Sequence, residues 1–219
     1  MYSIPLFPLN TVLFPSMPIH LHIFEPRYQL MMRRCIDQQQ PFGVVLIHEG
    51  VEAGGELARP HTVGCTARIV ETEPLPEGRM NLTAIGDERF HLRETLHDQP
   101  YLVGRVEQFP LEQPHTIQIA RARRLLHAYV RHYLRLLHQL NYQELDLRGF
   151  ELPEDALLLL YLAAALLQVP NSEKQGLLSI SAAPQMLSQV LRLYRRENAV
   201  ISRLKHISEP EAEKKAWLN

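Results

Sequence analysis

Eleven histidines and two cysteines are the first side chains to weigh as metal ligands or nucleophiles. His20 and His22 lie two apart in Ile19-His-Leu-His-Ile-Phe24, where apolar and polar residues alternate. That period predicts a strand, and a strand puts both imidazoles on one face. A catalytic zinc needs a third protein ligand and an open position, and no His-Glu-x-x-His is present. The plainer reading is that both are polar strand positions facing solvent or a cleft, so no metal is expected. Cys35 falls on the apolar stripe of a predicted helix and Cys65 within a predicted strand. A reactive thiol needs a positive, partly exposed setting, and both read instead as small buried hydrophobes. Gly50-Val-Glu-Ala-Gly-Gly55 has glycine spacing like that of a phosphate loop, but Glu56-Leu57 stands where Lys-Thr is required. No Gly-x-Ser-x-Gly elbow occurs. No cofactor and no enzymatic chemistry are expected.

Two groups remain that suit binding. Arg121, Arg124, Arg131, Arg135 and His138 share a stripe opposite the apolar face of a predicted long helix. The stripe suits an acidic partner or RNA; the plainer reading is a solvated face, since no aromatic residues interleave to stack bases. Phe24, Arg27 and Tyr28 follow a predicted strand where the chain changes direction. They fit the rim of a groove that takes a peptide's apolar side chains or pairs with its backbone at a strand edge. The structural alternative packs Tyr28 on the sheet and pairs Arg27 with a carboxylate.

The elements that must hold these residues begin with a proline-studded segment. Pro5, Pro8, Pro15 and Pro18 exclude a helix, while Leu6, Leu9, Val12, Leu13 and Phe14 are too apolar for a solvated loop. Glu25-Pro26 predicts a helix start, with Tyr28, Met31, Met32, Cys35 and Ile36 at helical spacing. Pro41–Ile47 reads as a strand buried on both faces, and residues 49–60 as an exposed loop. Thr62–Thr72 and Arg79–Ile85 read as strands; Gly86-Asp87 is expected to break the second before another begins at Arg89. Tyr101–Glu107 is the last strand. Many short strands with regular turns predict a closed or nearly closed barrel. After Phe109-Pro110 the pattern is helical. An amphipathic helix runs from Thr116 toward Asn141, and a helix apolar all round spans 156–167. Ser172-Glu-Lys-Gln175 reads as a capping box for a short helix over 173–178, and Pro184 opens a fourth with Leu187, Leu191, Tyr194, Ile201 and Leu204 inward. The tail from Ser208 is expected to fray.

The chain has 219 residues, 46% hydrophobic and 21% charged, and its net charge of -1 gives no general drive toward nucleic acid or anionic lipid. No charged n-region precedes an apolar stretch, and the longest apolar run is too short to span a bilayer. With two cysteines, the chain reads as cytoplasmic.

Pro5-Leu-Phe-Pro-Leu9, Val12-Leu-Phe-Pro15, Pro18-Ile-His-Leu21 and Phe24-Glu-Pro-Arg-Tyr28, in that order, resemble the opening of the Lon protease (peptidase S16) N-terminal, substrate-binding domain. That domain also occurs in cereblon and in stand-alone bacterial proteins. Gly64, Gly78 and Gly86-Asp-Glu-Arg-Phe90 match further elements, and Glu173-Lys-Gln-Gly-Leu-Leu178 is similar to a helix of the family. The resemblance implies an α+β fold: a PUA-like, six-stranded β pseudo-barrel with one helix over residues 1–110, then an all-α helical bundle over 111–219. It implies a stand-alone, non-catalytic polypeptide-binding module, because neither an ATP site nor a Ser-Lys dyad is recognisable. Polypeptide clients, or a protease or chaperone machine to which they are presented, are the expected partners, in a groove between barrel and bundle. RNA on the arginine stripe is the alternative. Membrane contact is not expected.

Overall fold

The computed structural model describes residues 1–50, 59–112, 116–140 and 151–216, and the side chains of all these except 116–122 and 204–216. Strands β1 (Tyr2–Leu9) and β2 (Pro18–Ile23) precede helix α1 (Pro26–Asp37). Strands β3 (Phe42–Glu49), β4 (Arg59–Pro74), β5 (Met80–Leu96) and β6 (Val103–Gln108) follow. Helices α2 (Thr116–Gln139), α3 (Ala156–Leu166), α4 (Asn171–Leu178) and α5 (Ala183–Ala216) complete the described chain. The mixed sheet has the order β2-β5-β4-β3-β1-β6, and β6 pairs back onto β5. Five strands therefore close on themselves, and β2 hangs on the outside of β5. Only β1 and β3 run parallel; the other pairs are antiparallel.

The closed strands enclose a small cluster of Ile4, Leu6, Val45, Phe90, Leu102 and Val106. Space inside is so short that a Cβ on Gly64 would lie 2.5 Å from the Phe90 ring. The larger core continues without interruption from the sheet into the helices, from Phe7, Met31 and Phe42 to Tyr133, Leu159 and Tyr194. Tyr133 and Tyr194 meet edge to face at 5.2 Å, and the Tyr194 hydroxyl donates to the Ala163 carbonyl at 2.8 Å. One aromatic pair thus joins α2, α5 and α3.

The helix starting at Pro26 and its buried face of Tyr28, Met31, Met32 and Cys35 match the sequence reading, while Ile36 is 37% exposed at the stripe's end. Three expectations change. Gly86-Asp87 does not break a strand, because β5 runs through it as a bulge. Ala67 pairs with Gly86 and Cys65 with Arg89, so Asp87 and Glu88 together oppose Thr66 alone. The Thr66 hydroxyl satisfies the disrupted ladder, accepting from Glu88 N at 3.0 Å and donating to Glu88 O at 3.2 Å. The capping box at Ser172 is also absent: α4 starts two residues earlier than expected, at Asn171 after Pro170, with no side-chain cap. Gln175 instead turns into the core and donates to the Val63 carbonyl of β4 at 3.0 Å. The third change is at the tail, where α5 continues to Ala216. The loop expected over 49–60 falls largely on residues 51–58, outside the described residues; its flanks Glu49 and Arg59 are strand residues joined by an ion pair. The helix stop expected at Asn141 also lies outside the described residues.

Helix α3 is apolar all round, so its start depends on its cap. The Asp155 carboxylate accepts from Leu157 N at 3.0 Å and Leu158 N at 2.7 Å. Asp155→Ala is expected to lower stability by about 1 kcal/mol. In thermal unfolding followed by circular dichroism this reads as a melting midpoint a few degrees lower, about 2–4 °C for a chain of this size.

Candidate functional site

Where β2 runs into α1, the chain opens a cavity of about 450 Å³ lined by Phe7 and Leu9 of β1, residues 20–23 of β2, Phe24, Glu25 and Tyr28. Alternation explains the arrangement. His20 and His22 point outward, while Ile23 points inward and is buried. Phe24, at the mouth, is 53% exposed and stacks on His22 with ring centroids 6.0 Å apart. Tyr28 forms a wall: it is 6% exposed and meets Phe7 edge to face at 4.4 Å. Arg27 does not line the cavity. Its guanidinium pairs with the Glu25 carboxylate at 3.0 Å and lies 4.7 Å from the Tyr28 ring centroid, fixing the turn into α1. The Gln29 side chain donates to the Phe24 carbonyl at 2.9 Å, holding that residue in place. Of the three residues singled out from sequence, Phe24 and Tyr28 share one apolar cavity and Arg27 stands behind it.

The groove expected between sheet and helices is a different place. A cavity of about 370 Å³ lies there, with Asp87, Glu88 and Arg89 of β5, residues 108–111, and Asp155, Leu157, Leu158 and Tyr161 at the start of α3. Arg89 is 2% exposed. Its Nη1 donates to the carbonyls of Leu178 at 2.7 Å and Ile180 at 2.6 Å, and its guanidinium lies 4.5 Å from the Phe109 ring centroid. The sequence placed Arg89 at the start of a strand and within a family element, with no role of its own. Its neighbour Phe90 is fully buried on the opposite face, so alternation gave no sign that both faces are covered.

The remaining candidates form no further site, although His20 and His22 are among the residues lining the first cavity. His20 Nδ1 is 3.1 Å from Thr83 Oγ1, and His22 Nδ1 donates to Asn81 Oδ1 at 2.7 Å, since a carboxamide oxygen only accepts. Asn81 in turn donates to Glu73. The two histidines thus belong to a polar ladder on the outer sheet face. Among the described residues no three His, Cys, Asp or Glu side chains group as metal ligands. Burial pushes the Cys35 thiol up to about 11 and raises Cys65 further, so neither offers a thiolate near neutral pH. His48 and His61 meet across β3 and β4 at 4.9 Å, and burial, with His48 adding to it, lowers the pKa of His61. Arg124, Arg131 and Arg135 are exposed on α2 and line neither cavity, and the side chain of Arg121 lies outside the described residues. Among the described residues no helix is long and apolar enough to cross a membrane.

Residues 3–196 match the family model of the ATP-dependent protease La (LON) substrate-binding domain. A Lon protease of Anaeromyxobacter dehalogenans is 27% identical over 205 residues, which is 90% of this chain and 24% of that protein. The chain spans about a quarter or less of the length of the curated Lon proteases it matches. Among solved structures, a Lon N-terminal domain protein from Xanthomonas campestris is 25% identical with a TM-score of 0.61, covering 88% of this chain and 98% of that one. The N-terminal domain of a Mycobacterium avium complex Lon protease, at 16% identity, shares the fold with a TM-score of 0.65, covering 89% and 98%.

Proposed function

Because the chain belongs to the family of Lon substrate-binding domains, we propose that it recognises polypeptides by taking apolar side chains into the cavity beside β2. The observation that carries this reading is Phe24, a large aromatic held half-exposed at the mouth of a recess walled by Phe7, Leu9 and Tyr28. An anchor of this kind dominates an interface, because it exchanges water for a well-packed pocket. Strand β2 runs along the same recess and, among the described residues, pairs with β5 alone, so its other edge could bond an extended chain. Inward positions along β2 are apolar, which favours clients with exposed hydrophobic segments. The module captures and does not cleave, and passes its clients to a protease or chaperone machine as an adaptor. Two buried thiols suit work in the reducing cytoplasm. The sheet closing on itself, with helices behind it, supports the PUA-like description and a helical bundle over the second half. No observation favours the alternative of RNA on the arginine stripe.

Phe24→Ala tests the reading. The side chain is exposed enough that stability is expected to stay within about 0.5 kcal/mol. Affinity for a permanently unfolded, carboxymethylated protein, measured by fluorescence anisotropy, is expected to fall about tenfold or more. Arg131→Ala serves as control and is expected to bind as the parent does. Equal binding by Phe24→Ala and the parent chain would place recognition elsewhere.

A further inference from the structure

We propose that the cavity between Arg89 and the start of α3 is a second binding site, and that its ligand is a monocarboxylate with an apolar body. Arg89 is one of the residues lining this cavity, and its buried guanidinium is only partly used. Nη1 holds two main-chain carbonyls, whereas Nε and Nη2 are buried without a well-formed hydrogen bond, and the neutral Tyr161 phenol interacts with the guanidinium. Those two nitrogens form one edge of the guanidinium plane, and their N–H bonds point the same way. A carboxylate fits such an edge with two parallel hydrogen bonds. No carboxylate among the described residues is ion-paired with Arg89. Tyr161 stands beside it, but burial raises the pKa of that phenol, so it stays neutral and brings no counter-charge. A buried, uncompensated cation is costly, and burial indeed disfavours its charged form. An incoming anion relieves that cost, displacing the phenol to reach the edge.

The rest of the lining narrows the ligand. Asp87, Glu88 and Asp155 are exposed at the rim, and Glu88 is tied to Gln108 at 2.6 Å. Three acids repel a dianion or polyanion and tolerate a single negative charge that is met by Arg89. Asp155 already occupies the N-terminus of α3, so the attraction comes from Arg89 and not from the helix end. Leu111, Leu157 and Leu158 supply walls for an aliphatic group. The same chemistry is offered by a polypeptide C-terminus and by a small free acid. This cavity shares no lining residue with the one at Phe24, so the two readings stand or fall separately.

The test is an NMR titration of the full chain labelled with nitrogen-15, following the Arg89 Nε–H and Leu158 amide signals. The probes are N-acetyl-leucine, N-acetyl-leucinamide, a leucine-terminated hexapeptide, its C-terminal amide, and inorganic phosphate. Both acids are expected to shift these signals saturably, and both amides to bind at least about tenfold more weakly. Phosphate is expected to leave the signals in place. Tighter binding of the hexapeptide acid assigns the site to chain ends, and equal binding assigns it to small free acids. Leu158→Trp, which fills the cavity without touching the bonds of Arg89, is expected to abolish the shifts with an unchanged circular dichroism spectrum. Amides binding as well as acids, phosphate binding equally, silence from every probe, or full binding by Leu158→Trp would each overturn the proposal.

Discussion

Gly86→Ala is expected to lower the unfolding free energy by about 3 kcal/mol or more, a severe loss for one added methyl. The Cβ would sit 2.3 Å from the Phe14 carbonyl oxygen and 3.2 Å from Cys65 Sγ. The first of these is backbone and cannot rotate away. Ser16 N donates to Gly86 O at 2.7 Å and Gly86 N donates to Met17 O at 2.9 Å, so the two segments are bonded from both sides. Relief of the clash requires breaking that pair, at about 1 kcal/mol per hydrogen bond, on top of disturbed packing around Phe14. Gly176→Ala is the contrasting change. Nothing lies within 4 Å of a Cβ there, and the residue is inside α4, so stability is expected to rise by about 0.5–1 kcal/mol. Urea unfolding midpoints with unchanged slopes would read both. A Gly86→Ala midpoint equal to that of the parent chain would mean that Phe14–Met17 does not lie against β5. The consequence reaches the Phe24 cavity as well, because residues 14–17 lead directly into β2.

Much of this architecture could be read from local pattern. Prolines at 5, 8, 15 and 18 ruled out helix, and alternation at 19–24 placed His20 and His22 on one face, as the polar ladder to Thr83 and Asn81 bears out. Pro26 at the first turn and the spacing of Tyr28, Met31, Met32 and Cys35 located α1 and its buried side. The misses share a cause: each turned on a distant partner. Gly86 reads as a strand breaker because glycine is usually a breaker. Here it marks a close approach, and the bulge beside it is stabilised by Thr66, 20 or so residues away along the chain. Ser172 and Gln175 have capping-box spacing, yet Gln175 serves Val63, on a strand more than 100 residues earlier. No local rule anticipates either.

The same holds for the sites. Phe24 and Tyr28 were legible as aromatics at a change of direction, but the cavity between them depends on Phe7 and Leu9 arriving from β1. Sequence also merged two places into one. The turn at Phe24 and the groove between sheet and helices are separate cavities, because α1 lies at the end of β2 while α3 meets the bulge of β5. A charged residue between Glu88 and Phe90 looks like a solvent-facing strand position. It is buried because the chain returns, some 90 residues later, to lay the α4–α5 turn over it.

That return makes Arg89→Ala the second large loss, expected at about 3 kcal/mol. The opposing terms can be weighed. Removing the guanidinium abolishes an uncompensated buried charge, which favours the variant. Against this, the carbonyls of Leu178 and Ile180 lose their donor, at about 1–3 kcal/mol for each one left unpaired in the interior. The aliphatic stem and the contact with the Phe109 ring also vanish, leaving a hole beside an existing cavity. Loss therefore exceeds gain. Arg89→Met separates the contributions, since it keeps the stem and removes the charge and both hydrogen bonds, so it is expected to fall between the parent chain and Arg89→Ala. Hydrogen exchange gives the local signature. Amides at the end of α4 and the start of α5 should open first, because Arg89 holds the Leu178 and Ile180 carbonyls of that turn against the sheet. Uniform exchange across the chain, or an Arg89→Ala variant as stable as the parent, would show that the guanidinium does not help to hold the α4–α5 turn on the sheet.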